Sequence, residues 1–292
     1  MLVIVGMLVV CGAVMGGYLM AGGVLLVLVQ PSEYVTICGA AIGSLLVSTS
    51  PAVLKGVVAQ IKGLLGAGTT KAEYNDLLAM LYQIFKQVQQ SGVMSLEPHF
   101  ENPGESTLLK KYPKFMARHE ALDFLADSVK VIIVGGIAAH DLEALMDEDM
   151  AAHHEEALRP AAALTKIGDA LPGLGIVAAV LGIVITMGHI DAPPAEIGHH
   201  VGAALVGTFL GILVSYGFVQ PLAGAMEARV ADEGYYCLCI KAGLLAIYKG
   251  NPPAIAVEFA RRVLPHSVRP TFEETEKFCR AATTTAKEAV AA

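Results

Sequence analysis

The sequence predicts an all-α integral membrane protein with four transmembrane helices and a helical cytoplasmic lobe. Three observations carry this. The 292 residues are 54% hydrophobic and only 16% charged, with a mean hydropathy of +0.58, whereas soluble domains are about a quarter charged. Four stretches, at 2–26, 34–54, 170–187 and 201–222, hold the roughly 20 mostly apolar residues needed to cross a bilayer core. The 20 Lys and Arg residues all lie outside these stretches, between Lys55 and Lys166 or from Arg229 onward.

The first span (2–26) enters apolar sequence directly at Leu2, without the basic region that opens a secretory signal. A short hairpin near Gln30–Glu33 leads to the second span (34–54), so residues 1–54 form one pair of spans. Residues 55–169 make a long loop, residues 170–222 the third and fourth spans around a hairpin at 188–200, and residues 223–292 a tail. Neither hairpin carries Lys or Arg. Cytoplasmic segments are enriched in these cations, so loop, tail and both termini face the cytoplasm and the hairpins face outward.

The loop and tail read as helices sharing one core, since each alone has few core residues. Residues 71–90 place Leu77, Leu78, Leu81, Ile84, Phe85 and Val88 at helical spacing. Breaks follow at Ser91-Gly92 and around Asn102-Pro103-Gly104. Residues 119–150 read as a second helical region, with Leu122, Leu125, Val129 and Ile132 on one face, and Ala151–Ala163 leads into the third span. In the tail, 223–248 continues helically out of the fourth span to a break at Gly250-Asn251-Pro252-Pro253, followed by helices over 254–263 and 272–290.

Composition excludes several functions. A net charge of −7 without a basic face argues against nucleic acid. The five cysteines form no C-x-x-C pair and read as reduced packing thiols, so no metal or redox site is expected. His153-His154 and His199-His200 are adjacent pairs, which point apart on a helix and suit metal poorly. The second pair, in the outward hairpin, is a candidate pH sensor, a role the sequence leaves unassigned.

The spans are rich in small residues. Gly12–Gly16, Gly39–Gly43 and Gly207–Gly211 are G-x-x-x-G pairs, which let helix backbones approach closely in lipid. The third and fourth spans contain no Asp, Glu, Lys or Arg. Ionisable residues normally mark ion pathways in membranes, so a conducting assembly would take its titrating carboxylate from another chain. Thr208 is the polar residue near mid-depth of the fourth span; its hydroxyl either bonds back to its own helix or serves an ion path. Pro172 and Pro221 stand at the cytoplasmic ends of the third and fourth spans, as boundary markers or bending points.

Several segments, in order along nearly the whole chain, resemble the MotA family of flagellar stator subunits in the MotA/TolQ/ExbB proton channel superfamily. They are the opening through Gly16-Gly-Tyr-Leu-Met-Ala-Gly-Gly23, Met94-Ser-Leu-Glu97 with Glu101-Asn-Pro103, Leu171 to Gly182, Ala204 to Leu213 with Pro221, and Pro252 to Arg262. The resemblance implies a non-enzymatic stator subunit without a cofactor. Such subunits form a ring, expected to be a pentamer, around MotB in the inner membrane. MotB brings the ion-binding aspartate and a peptidoglycan anchor. Ion flow drives torque on the rotor protein FliG, and one charge crossing 100 mV yields about 2.3 kcal/mol. Carried over by position, Pro172 and Pro221 match the family's functional prolines, Thr208 its ion-path threonine and Glu97 its rotor-facing glutamate. Gln89 stands where the family has a rotor-facing arginine, and Lys86, one turn earlier, is the expected substitute. Sodium-driven relatives carry threonine where this chain has Ala179, so the implied ion is H+. Two other readings stay open at this stage. One is an energiser of outer-membrane transport resembling ExbB and TolQ, although those have three spans and an external N-terminus. The other is a non-conducting membrane scaffold.

Overall fold

A computed structural model gives the fold. It describes residues 2–66 and 68–291, with side chains in α12 only as far as residue 281. In chain order the helices are α1 (Leu2–Met20), α2 (Pro31–Ser48), α3 (Pro51–Leu64), α4 (Lys71–Ser91), α5 (Glu97–Glu101), α6 (Pro113–Met116), α7 (His119–Val134), α8 (Ala139–Met187), α9 (Pro194–Val214), α10 (Gln220–Tyr248), α11 (Pro253–Arg262) and α12 (Phe272–Ala291). The described residues are all-α, with four helical segments long and apolar enough to cross a membrane. Contacts divide the chain into a unit of residues 1–67 and 157–229 and a unit of residues 68–156 and 230–292.

In the first unit, helix ends differ from the expected spans for identifiable reasons. α1 stops at Met20, not near 26, because Gly22 adopts φ +83. Gly23 N–H then reaches Tyr18 O at 2.9 Å and Gly22 N–H reaches Leu19 O at 3.0 Å, the paired bonds of a Schellman turn. α2 begins at Pro31, whose fixed φ suits a first helical position. It therefore takes in Glu33, which the sequence placed in an external hairpin. The second span ends at Ser48, not 54, because Pro51 opens the separate helix α3, capped by the Ser50 hydroxyl accepting from Val53 N–H. α3 carries Lys55 and Lys62, and was not anticipated as a separate element.

Ile37 and Ala41 of α2 pack with Ile167, Leu171 and Ala178 of α8 and Leu210 of α9. A second cluster joins Ala161 and Leu164 of α8 to Ala223 and Met226 of α10, flanked by Ile61 and Leu64 of α3. α1 buries none of its residues within the chain. At about 1.5 Å per residue it matches the roughly 30 Å hydrocarbon core, which can take up such a surface.

The second unit holds the larger core. Leu77, Leu78, Leu81, Ile84 and Phe85 of α4 and Leu122, Leu125 and Val129 of α7 are buried, with Val88 and Ile132 packed at its margin. Tyr236, Ile240 and Leu244 of α10 and Ala256, Val257 and Ala260 of α11 complete it. Residues 119–150 are not one helix: Gly135 and Gly136, both at positive φ, separate α7 from α8. Glu73 receives Arg118 at 2.7 Å and Lys114 at 3.7 Å, and the Arg118 guanidinium lies 4.5 Å from the Tyr236 ring centre. Glu258 takes Arg261 and Arg262 at 2.7 Å each, which holds its carboxyl below the usual range.

Candidate functional site

The site assembles where α8 meets α9, and small residues set the approach. A Cβ on Gly211 would come 2.6 Å from Leu171 O and 2.9 Å from Gly175 Cα. One on Gly175 would come 2.8 Å from Gly207 O, and one on Gly182 would come 2.7 Å from the Ala204 Cβ. These obstacles include backbone, so larger residues at these positions would force the helices apart. Lipid supplies little hydrophobic drive between helices, so such close van der Waals contact supplies the attraction. Gly12, Gly16, Gly39 and Gly43 differ: a Cβ there meets nothing within 4 Å in the chain. Gly207 and Gly211 thus lie in an internal seam, while the other two glycine pairs face away from the rest of the described chain.

Thr208 lies in this seam; its Cα would be 3.3 Å from a Cβ on Gly175. Thr165 and Thr186 on α8 bond back to Ala161 O and Gly182 O. The half-buried Thr208 has no hydrogen bond among the described residues. The seam also contains the buried Ala178, and Ala179 beside it is half-buried.

Pro172 is not at a helix end but inside α8, and half-buried. Lacking an N–H, it cannot bond the carbonyl four residues back, that of Gly168. Ser215 supplies the missing donor: its fully buried Oγ–H reaches Gly168 O at 2.6 Å. Ser215 opens a π turn (Ser215–Val219) that leads into α10. Pro221, exposed at the start of α10, needs such an adjustment because it too removes a helix bond. Beside it Gln220 donates to Asp169 Oδ1 at 2.8 Å, and both groups are exposed. The two prolines therefore share one neighbourhood, tied by Ser215 and Gln220. No sequence pattern pointed to either; a serine seven residues before the expected span's end carried no such signal.

A further acid enters this unit from α2. Glu33 is 7% exposed, and its Oε2 is buried without a hydrogen-bond partner. A Cβ on Gly207 would collide with that oxygen. The third and fourth spans contain no carboxylate of their own between residues 170 and 187 or 201 and 222, but the second helix delivers one against the fourth.

The residues expected at the rotor lie in the second unit. Glu97 and Gln89 are exposed, and half-buried Lys86 lies with its Nζ 5.9 Å from the Tyr82 ring centre. Gln87 donates to Ser95 O at 2.9 Å, tying the stretch of Lys86 to that of Glu97. His99 Nδ1 lies 2.8 Å from Ser106 Oγ, and burial lowers its pKa. Around the hairpin at 188–200, the His189 and His200 rings stack at 5.6 Å and His199 lies 6.2 Å from His200. His153 approaches Asp149 at 3.5 Å, and His154 is exposed. No group of three metal-ligating side chains occurs among the described residues.

Comparison with known proteins fits this arrangement. Residues 4–92 match the model for the Motility protein A N-terminal region, and residues 116–236 match that of the MotA/TolQ/ExbB proton channel family. The chain is 45% identical to Motility protein A of Escherichia coli (strain K12), covering 96% of each chain. It is 37% identical to Chemotaxis protein LafT of Vibrio parahaemolyticus, over 94% of this chain and 96% of that one. Among solved structures it resembles C. jejuni MotAB, with a TM-score of 0.74 at 19% identity over 90% of this chain and 95% of that one. A second is the flagellar MotAB stator complex of Bacillus subtilis, at 0.70 and 22% over 91% and 96%. The chain belongs to the Motility protein A family of membrane-embedded flagellar stator subunits, a branch of the MotA/TolQ/ExbB proton channel family and not an enzyme family.

Proposed function

We propose that several copies of this chain, expected to be five, surround MotB in the inner membrane and conduct protons that drive rotation of FliG. In this reading both termini are cytoplasmic, MotB supplies the ion-binding aspartate and the peptidoglycan anchor, and the ion path runs past Thr208 and Ala179. Pro172 and Pro221 act as the bending points, and Glu97 and Lys86 meet the rotor.

The observation that best supports this reading is the seam. It combines closely packed glycines, a threonine hydroxyl without a partner among the described residues and a helix carbonyl freed by Pro172 and taken by Ser215, yet α8 and α9 offer no Asp, Glu, Lys or Arg of their own between residues 170 and 195 or from 197 to 214 beyond Asp191 in the hairpin. Such a path needs a carboxylate from elsewhere, and MotB would bring it. The exposed face of α1 leaves apolar surface for lipid or neighbouring copies. The electrochemical step uses no cofactor. The absence of a hydroxyl at Ala179 favours H+ over sodium, whose coordination uses oxygen ligands.

The test is deletion of the gene followed by microscopy. Assembled filaments that do not turn, with rotation restored by the intact gene but not by Pro172→Leu, are expected. Lost outer-membrane import with normal swimming would instead favour an energiser resembling ExbB and TolQ. Rotation that stops without sodium while the proton gradient is intact would overturn the choice of ion.

A further inference from the structure

Glu33 sits in the first turn of α2 and is 7% exposed. Its Oε2 has no hydrogen-bond partner among the described residues, so the carboxyl is not capping the helix that carries it. It lies against Gly207, where the lack of a side chain leaves it room, next to the buried Ala178. Gly207 is about 9 Å along the helix from residue 201, where the fourth apolar stretch begins. The carboxyl is thus inside the apolar layer, against the residue that precedes Thr208 in the chain.

The surrounding elements offer it no charge. α2 carries no Lys or Arg, and Tyr34 uses its hydroxyl on Leu28 O. The turn Leu25–Leu28 has no titratable group. On α9, Glu196, His199 and His200 lie at the outer start, roughly 10 to 17 Å along the helix from Gly207. On α8, Asp169 lies beyond Pro172 at the opposite end of the seam. A lone carboxyl in such a place costs free energy and is a functional group by default.

Building on the proton-conducting reading above, we propose that Glu33 is a second proton-carrying group of the path, a relay within the stator subunit itself that precedes the partner's carboxylate. A hydronium ion in the outer water gives a proton to the Glu33 carboxylate; one of its O–H bonds breaks, water is left behind, and an O–H bond forms at Oε2. That bond then breaks as the proton passes, directly or through water, to the partner's carboxylate. The Glu33 carboxylate is regenerated, and no electrons are exchanged. Gly207 keeps the space in which the carboxyl sits, so it acts as a positioning residue.

The test uses the full chain co-expressed with its partner, comparing wild type, Glu33→Gln and Glu33→Asp. Proton entry is read from cytoplasmic pH, and assembly from co-purification of the partner. Glu33→Gln keeps size and polarity but cannot carry a proton, and should lower flux on the order of a hundredfold with assembly intact. Glu33→Asp should restore a measurable part. Wild-type flux in an assembled Glu33→Gln complex overturns the relay. If Glu33→Gln fails to assemble, infrared spectra of the wild-type complex with isotopically labelled glutamate decide. A buried glutamate carboxyl band that follows pH and is lost in Glu33→Asp supports the relay, and its absence overturns it. Wild type that conducts no protons at all would instead sink the channel reading on which the relay rests.

Discussion

The Ser215 hydroxyl donates at 2.6 Å to the carbonyl of Gly168, the group that Pro172 deprives of its helical partner. The carbonyl that Pro172 leaves free in α8 is thus satisfied from the π turn that follows α9, and the two elements are joined at this point. Ser215→Ala leaves that buried carbonyl without a donor, at a cost of about 1 to 3 kcal/mol. In a Pro172→Ala background the backbone N–H returns, and the same change should cost less than about 1 kcal/mol. Thermal unfolding of the four proteins of this cycle in lipid nanodiscs measures the coupling; additive effects would rule out the relationship.

Gly211 faces backbone, with Leu171 O and Gly175 Cα in the way of any side chain. Gly211→Val should separate α8 from α9 and reduce the folded yield in membranes. Gly39→Val meets nothing within the chain and should leave the folded yield unchanged. Fluorescence-detected gel filtration of both variants distinguishes internal from outward-facing glycines, since loss of ring assembly with a folded subunit would mark Gly39 as a contact between copies.

Thr208 has an unused hydroxyl in the seam beside Gly175. Thr208→Val, of similar size, should preserve expression and partner binding but lower proton flux by roughly tenfold. Equal flux in vesicles would remove Thr208 from the path.

The rotor face is tested by charge. Lys86→Glu and Glu97→Lys should each reduce torque on tethered cells while leaving membrane levels unchanged, because exposed charges add little to stability. A compensating charge change on the rotor should restore rotation to one variant and not the other. Unchanged torque in both would move the contact elsewhere.

Glu258 predicts a pH dependence. Hydrogen bonds from Arg261, then from Arg262, lower its carboxyl pKa below the ordinary 4.5. A lowered folded-state value means the interaction stabilises fully above the unfolded pKa and fades as pH falls through the folded one. Glu258→Gln should therefore cost about 1 to 2 kcal/mol at pH 7 and much less under acid. Arg261 also donates to Pro270 O at 2.9 Å, which ties α11 to the stretch before α12. Hydrogen exchange over residues 254–271 at pH 7 and pH 4 reads the effect.

His99 also favours its deprotonated form, here the neutral one, because of burial. Burial lowers its pKa from 6.5, so the unfolded chain binds the extra proton first as pH falls. Its stabilising effect is complete above the unfolded value and is lost on going down toward the folded one. The stretch 97–109, held by the Ser106 hydroxyl against His99 Nδ1 and Leu109 N–H, should exchange faster at pH 5.5 than at pH 7.5. His99→Gln should flatten that difference.

Much of this protein is written locally. Four apolar runs, the absence of cations from them, and the spacing of Leu77, Leu81 and Phe85 or of Leu122, Leu125 and Val129 already define the class and the larger core. These are matters of composition and helical period, which neighbouring residues alone determine. The tertiary structure decided what no period encodes: that Gly22 ends α1 early and Pro31 starts α2 ahead of Glu33, so that this acid enters the apolar layer beside Gly207. It also decided that the Gly207 and Gly211 pair forms an internal seam while Gly12, Gly16, Gly39 and Gly43 look outward, and that Ser215 repairs the carbonyl freed by Pro172. The physical reason is that each of these depends on which helix faces meet and at what register, and that follows from packing between segments up to 174 residues apart in sequence (Glu33 and Gly207), beyond the reach of any local pattern.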